Sequence, residues 1–261
     1  MLPPGDLRMA LVALAGDGPG DRDWAALLQH RYDSAGPLAG HAAGNLLLAG
    51  LARQHSIVQA LDMMGALLGG TGRVLPAAEV PLEIWATVLG HDPAAPTDTS
   101  RVTGQVAVAT TPGQVVAVAL DPADPPACSE AVEAILDADW VVLGPGSWFT
   151  SVLPHLLVPE LRGALTKTDA RLLVTLNLAE QPGETDGFAP ETHLEVLLAH
   201  APELGLDVVL ADPGAVADGP ALQASAEAYG ARLVLAPVAA GDGSPTHDPV
   251  MLAEAYRGVF A

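Results

Sequence analysis

The apolar positions in the first third of the chain fit helices, over residues 6–15, 44–54 and 57–68. Pro3-Pro4-Gly5 leads into the first of these, and Asp6 caps it and favours its positive end. Gly69-Gly70-Thr71-Gly72 resembles a phosphate loop, but it follows a helix and reads as a helix stop. Gly16 to Gly20 reads as a flexible connection. Between residues 80 and 120 the period shortens to two. Val80, Leu82, Ile84, Ala86 and Val88 share one side, and 104–110 and 113–120, parted by Thr111-Pro112, read as two further strands. Three half-buried strands with tight connections predict an antiparallel insertion over 80–120. Beyond it, apolar runs at 139–143, 171–177, 207–211 and 231–235 alternate with helical stretches near 147–157, 190–200, 221–229 and 249–259. Continuous apolar strands between helices predict an α/β fold, a mostly parallel sheet covered on both faces, within one domain spanning residues 1–261.

Composition narrows the ligands. Half of the 261 residues are apolar but only 4% are aromatic, so the core is built from Ala, Val and Leu. There are 31 acidic residues against 11 basic ones, a net charge of -20, which disfavours duplex nucleic acid and anionic membranes. Lys167 is the single lysine, so an anionic ligand has to be held by backbone N–H groups, helix N-termini and a few arginines. One cysteine, Cys128 at a helix start, precludes an internal disulfide and suits a reducing, cytoplasmic setting as a bland small residue. No stretch has the length of a membrane span and no signal peptide is expected.

Two turns leave buried strands where ligands of open α/β sheets bind, beyond the carboxyl ends. The first is Gly144-Pro145-Gly146-Ser147, followed by Trp148, Phe149, Thr150 and Ser151. Its glycines allow close backbone approach, its helix N-terminus offers N–H groups, and Ser147, Thr150 and Ser151 add hydroxyls. The alternative is a plain tight turn with Ser147 as an N-cap. It is neither a Walker loop nor a dinucleotide fingerprint. The second turn runs from Asn177 through Gln181, Gly183, Glu184, Thr185 and Asp186 to Gly187. Glu184 and Asp186 could hold Mg2+ or act as a base, or the stretch is a solvated loop capping the next helix. Asn177, ending an apolar strand, is the residue a purely structural account explains least. Near the start, Gly40–Asn45 opens a helix, with His41 and Asn45 four apart and so on one face. They offer no zinc pattern, and a capping histidine accounts for His41 equally well. Asp6 and Arg8 could touch a ribose or phosphate.

Taken together, GHAAGNLL at 40–47, GRVLPA at 72–77, GPGSWFTSVLPHLLVPEL at 144–161, QPGETDGF at 181–188 and HDPVMLAEAY at 247–256 resemble the YvcK family of gluconeogenesis factors, relatives of the CofD phospholactate transferases, in an actinobacterial-like form. The resemblance runs over essentially the whole chain. It implies a Rossmann-like three-layer fold and a cytoplasmic regulator that binds a nucleotide sugar, UDP-N-acetylglucosamine, and directs carbon toward peptidoglycan precursors with consequences for cell shape. On that reading Gly144, Gly146 and Ser147 give donors to the diphosphate, Asn177 and Thr185 position the base or sugar, and His41 and Asn45 line the opposite wall. A CofD-like transfer of phospholactate to a phosphorylated cofactor precursor is the second reading, with Glu184, Asp186 and Asp6 as its candidate metal carboxylates. A protein that acts only as a scaffold is the third. A regulatory protein partner or a homo-oligomer is compatible with each. The family opens with a GGGTG-type loop and a DDGGSSG-type loop, on the order of 60 residues ahead of the match to Met1. Without them the chain is expected to be less stable and to bind ligand more weakly than an N-terminally extended form; equal melting points and affinities would exclude this.

Overall fold

The structure, a computed structural model, describes residues 5–33 and 35–261. Pro3 and Pro4, read as the lead-in to the first helix, lie outside the described residues. The chain divides into two compact units, residues 1–79 and 80–261.

The first unit is helical: α1 (Gly5–Ala13), α2 (Pro19–Gln29), α3 (Ala43–Ala52) and α4 (Ile57–Leu67). Leu11, Leu28, Leu48, Leu61, Met64 and Leu68 form its buried core. The start of α4 is set by a reciprocal capping box: Gln59 N donates to Ser56 Oγ at 3.1 Å, and Ser56 N donates to the Gln59 side chain at 3.2 Å. The helix ends as expected before Gly69, whose φ of 59° continues no right-handed helix. α2 occupies part of what reads in the sequence as a connection. Pro19 opens it, with φ preset for a helix, and Gly18 N donates to Asp21 Oδ2 at 3.2 Å. Its apolar signal is weak because Leu28 is its only fully buried residue.

The second unit carries two sheets. Strands β1 (Glu83–Leu89), β2 (Thr99–Thr103) and β3 (Gln114–Asp121) form an antiparallel sheet in the order β2-β1-β3. The strand expected over 104–110 is placed differently: the pairing strand is 99–103, and Gln105–Ala109 form the short helix α5. Gly104, at φ 98°, turns the chain out of the sheet, and QVAVA fits one helical turn as well as an alternating strand.

After α6 (Ser129–Leu136), β4 (Trp140–Leu143) opens the parallel sheet, continued by β5 (Arg171–Thr175), β6 (Val208–Ala211) and β7 (Arg232–Leu235) in the order β4-β5-β6-β7. The helix expected near 147–157 is broken in two. Trp148–Val152 form a π-helical turn, and Pro154, which has no N–H to donate, starts α7 (Pro154–Leu157). α8 (Pro159–Lys167) follows, also opened by a proline and not foreseen from the sequence. α9 (Pro190–His200), α10 (Gly219–Ala228) and α11 (Pro249–Phe260) complete the unit. Alternate strand residues serve opposite faces. Leu173, Val208 and Leu210 pack with Leu252, Tyr256 and Val259 of α11, and Thr175 on the same face meets the Tyr256 hydroxyl at 2.9 Å. Leu172, Val174 and Val209 are buried on the other face. Crossovers that step one way across a parallel sheet and are right-handed stack their helices on a single face, which leaves the face under α11 for the C-terminal helix. The α/β class, the mostly parallel sheet and the small antiparallel sheet are those expected. Among the described residues no helix is long and apolar enough to cross a membrane.

Candidate functional site

The two turns singled out in the sequence are joined in the second unit. Gly144 sits at φ 76°, and a Cβ there would lie 2.8 Å from the carbonyl of Thr175, so only glycine lets β4 end this close to β5. Asn177, one residue past Leu176 at the end of β5, clamps the turn from both sides: its Oδ1 accepts from Gly146 N at 3.0 Å and its Nδ2 donates to Gly146 O at 2.8 Å. This is the use of Asn177 that packing alone did not suggest.

The helix N-terminus after this turn already faces an anion, the side chain of Glu184. Ser147 Oγ donates to its carboxylate at 2.7 Å, Thr150 Oγ1 donates at 3.0 Å and Phe149 N donates at 3.3 Å. Ser147 and Thr150 hydroxyls also touch each other, and Trp148 N donates to Gln181 Oε1 at 3.2 Å. Glu184 is 2% exposed and Thr185 is fully buried, with Thr185 Oγ1 accepting from Gln181 N at 2.8 Å. The buried carboxylate stabilises the N-terminal end of the π turn much as a phosphate would. Its oxygens face O–H and N–H donors, and Asp186 caps Gly183 N at 2.8 Å instead of joining it. That donor set suits an anion's environment and does not fit a magnesium ion.

The donors left for a ligand lie one step along the chain. A cleft of about 550 Å³ is lined by Pro145, Gly146 and Ser147, by the run from Asn177 to Pro182, and by Pro245, Thr246 and His247. Among the described residues, the backbone N–H groups of Leu178, Ala179 and Glu180 on this wall find no hydrogen-bond partner within the chain. Three successive free N–H groups in a turn make a concavity for anionic oxygens. Ser151 faces elsewhere: it is exposed and lines a separate apolar cleft with Val142, Val152 and His155.

The far wall comes from Pro245, Thr246 and His247, the last of which opens the HDPVMLAEAY stretch. Asp212, just past β6, accepts from Gly214 N at 2.7 Å, Val238 N at 2.7 Å and Ala239 N at 3.0 Å. Asp248 N then donates to Val238 O at 2.8 Å, which sets His247 at the cleft. Burial acts to raise the Asp212 pKa, but the three N–H bonds and the nearby His247 outweigh it and hold the carboxyl below the ordinary aspartate value. A depressed folded value adds stability that is complete above the unfolded value of about 3.9 and is lost as pH falls through the folded one. Asp212→Asn is therefore expected to be less stable than the parent at pH 7, with the gap between their thermal melts closing below about pH 4. A gap independent of pH would show that charge on Asp212 does not matter.

Of the other candidates, Asp6, Arg8, His41 and Asn45 belong to the first unit. Asp6 lies in the first turn of α1. Arg8 is buried and its Nε donates to Asn45 Oδ1 at 3.0 Å. His41 precedes α3, so it does not share a helical face with Asn45 as the i, i+4 spacing implied. Cys128 is buried at the N-cap of α6, and burial pushes its thiol pKa up, away from nucleophilic behaviour.

Comparison with known proteins places this geometry in context. The profile described as "2-phospho-L-lactate transferase CofD" matches residues 1–234. A Mycobacterium tuberculosis protein named "Putative gluconeogenesis factor" is 51% identical over all of this chain and 77% of its own length. The Mycobacterium leprae protein of the same name is 49% identical over 99% of this chain and 73% of its own. The crystal structure of a UPF0052-family protein from Bacillus halodurans superposes with a TM-score of 0.82 at 30% identity, over 97% of this chain and 82% of that one.

Proposed function

Because this chain belongs to the CofD family and stands among its gluconeogenesis factors, we propose that it is a nucleotide-sugar-binding regulator whose ligand is UDP-N-acetylglucosamine. In the cytoplasm it directs carbon toward peptidoglycan precursors and so supports cell shape, acting through a protein partner or a second copy of itself. The observation that carries this reading is the run of unpartnered N–H groups at Leu178–Glu180 on a cleft of about 550 Å³. Backbone donors are the means by which a chain of net charge -20 with a single lysine holds a diphosphate. The volume is that of a small-molecule site, with Thr246 and His247 opposite for the sugar.

Isothermal titration with UDP-N-acetylglucosamine, with and without Mg2+, tests this. Saturable binding without consumption of the ligand is expected, strengthened by Mg2+ because the cation offsets repulsion between the diphosphate and an acidic surface. Thr246→Glu is the companion variant. The Thr246 side chain is exposed and only its carbonyl is bonded, to Ala240 N, so the fold tolerates the change. A carboxylate there is expected to weaken binding by roughly tenfold or more with no change in melting temperature. Undiminished binding would move the ligand out of this cleft.

The matched profile's description supports a second reading, a CofD-like transfer of a phospholactate group. Magnesium-dependent consumption of a phosphorylated substrate in the same titration would favour it over the regulator.

A further inference from the structure

A second cleft, of about 680 Å³, shares the Asn177–Glu180 wall with the first and extends to Phe188, Ala189, Pro190, His193 and the Gly214–Ala217 turn. It lies beyond the carboxyl ends of β5 and β6, where open parallel sheets place ligands. Away from the shared wall, where Asn177 and the exposed Glu180 stand, its lining is apolar and small except for one buried polar side chain, His193, which is 5% exposed. His193 Nδ1 lies 3.2 Å from the Ala189 carbonyl. A carbonyl only accepts, so Nδ1 carries the proton and the neutral ring presents Nε2 as a bare acceptor. Among the described residues Nε2 has no partner. A buried acceptor left unpaired costs free energy, and such groups are few in folded proteins. The ring is held by two edge-to-face contacts, to Trp148 at 5.0 Å and to Phe188 at 5.4 Å, so it is not free to turn toward another donor.

We propose that this second cleft is the base subsite of the nucleotide ligand, in which His193 Nε2 accepts a hydrogen bond from the N–H edge of the pyrimidine while Phe188 flanks the ring. The assignment rests on the nucleotide-sugar reading and adds the position and polarity of base recognition. The shared wall is what links the two clefts: a diphosphate on the N–H groups of Leu178–Glu180 sets its sugar toward Thr246 and His247 and its base toward His193. A flat ring suits a cleft walled by Phe188, Pro190 and alanines. A single acceptor selects a ring that presents N–H over one that presents only a lone pair, because a ligand acceptor would leave two unpaired lone pairs face to face. Burial depresses the His193 pKa, opposed by the Ala189 carbonyl and by Glu180, which keeps the acceptor form in place near neutral pH.

The test compares UDP-N-acetylglucosamine with its N3-methyluracil analogue by calorimetry, on the parent chain and on His193→Phe and His193→Gln. Phenylalanine keeps the ring contacts and removes the acceptor; glutamine keeps an acceptor at the end of the side chain. Methylation is expected to weaken binding to the parent and to His193→Gln by roughly tenfold, and to make no difference to His193→Phe. Equal binding of the two ligands by the parent, or an undiminished penalty in His193→Phe, overturns the base subsite and leaves the nucleotide-sugar reading intact. Failure of the parent to bind UDP-N-acetylglucosamine at all overturns that reading and this assignment with it. Should His193→Phe fail to fold, the parent and His193→Gln decide: a tenfold penalty in both supports the subsite, and none in either overturns it.

Discussion

Replacing Glu184 by alanine is expected to destabilise the protein by about 2–4 kcal/mol, a fall in melting temperature of roughly 5–12 °C. The cost follows from what the carboxylate does. It is buried, and it accepts from the Ser147 and Thr150 hydroxyls and from Phe149 N. Truncation strands the donors of Thr150 and Phe149, both buried, and removes the negative charge from the start of the π turn. A buried group that loses its partner costs more than the net worth of the bond, which is why alanine is worse here than at a surface cap. Glutamine keeps one acceptor and should recover part of the loss. The vacated seat has the size and donors for a small carboxylate, so formate or acetate at high concentration is expected to raise the melting temperature of Glu184→Ala more than that of the parent. Thermal melts of the three proteins with and without formate check this. A Glu184→Ala protein as stable as the parent would mean that the donors find other acceptors, and the turn is not organised by this residue.

The second large effect is expected at Gly183. Its φ is 84°, and a Cβ would stand 2.4 Å from the Thr111 carbonyl oxygen and 3.4 Å from that residue's amide nitrogen. The obstacle is backbone, so no side chain can swing away. Gly183→Ala should therefore cost about 3–5 kcal/mol, combining left-handed strain with overpacking. Gly187 is the control. It has a similar φ of 75° but open space around the added methyl, so Gly187→Ala should cost only the conformational part, about 1–2 kcal/mol. Chemical denaturation of both variants gives the comparison. Equal losses would mean that the Thr111 segment yields, and that the Gly183–Thr111 packing does not hold the loop in place. Because Gly183 directly precedes Glu184, the two predictions are coupled: misplacing the glycine turns the carboxylate away from Ser147.

What the sequence determined by itself is the local part. Four parallel strands, two of the three antiparallel strands and helices such as Pro190–His200 were legible because apolar periods of two and of about 3.6, with Gly and Pro as punctuation, depend only on neighbours along the chain. The α2 and α8 helices were not. α2 buries a single residue completely, and α8 starts at Pro159, too soon after Pro154 for its period to stand out. The two ligand turns were legible as well, as glycine-rich exits from apolar strands. Their partnership was not, since Ser147 and Glu184 are 37 positions apart and Gly146 and Asn177 are 31 apart. Only the parallel pairing of β4 with β5 sets those turns side by side, and it puts a protein carboxylate where the turn by itself suggested a phosphate. In the same way Asp212, held by donors from residues 238 and 239, brings His247 to the cleft, and the Ala189 carbonyl sets the tautomer of His193. Hydrogen-bond saturation is a property of the packed chain: a sequence names the donors and acceptors, and only the tertiary structure decides which of them are already taken and which remain for a ligand.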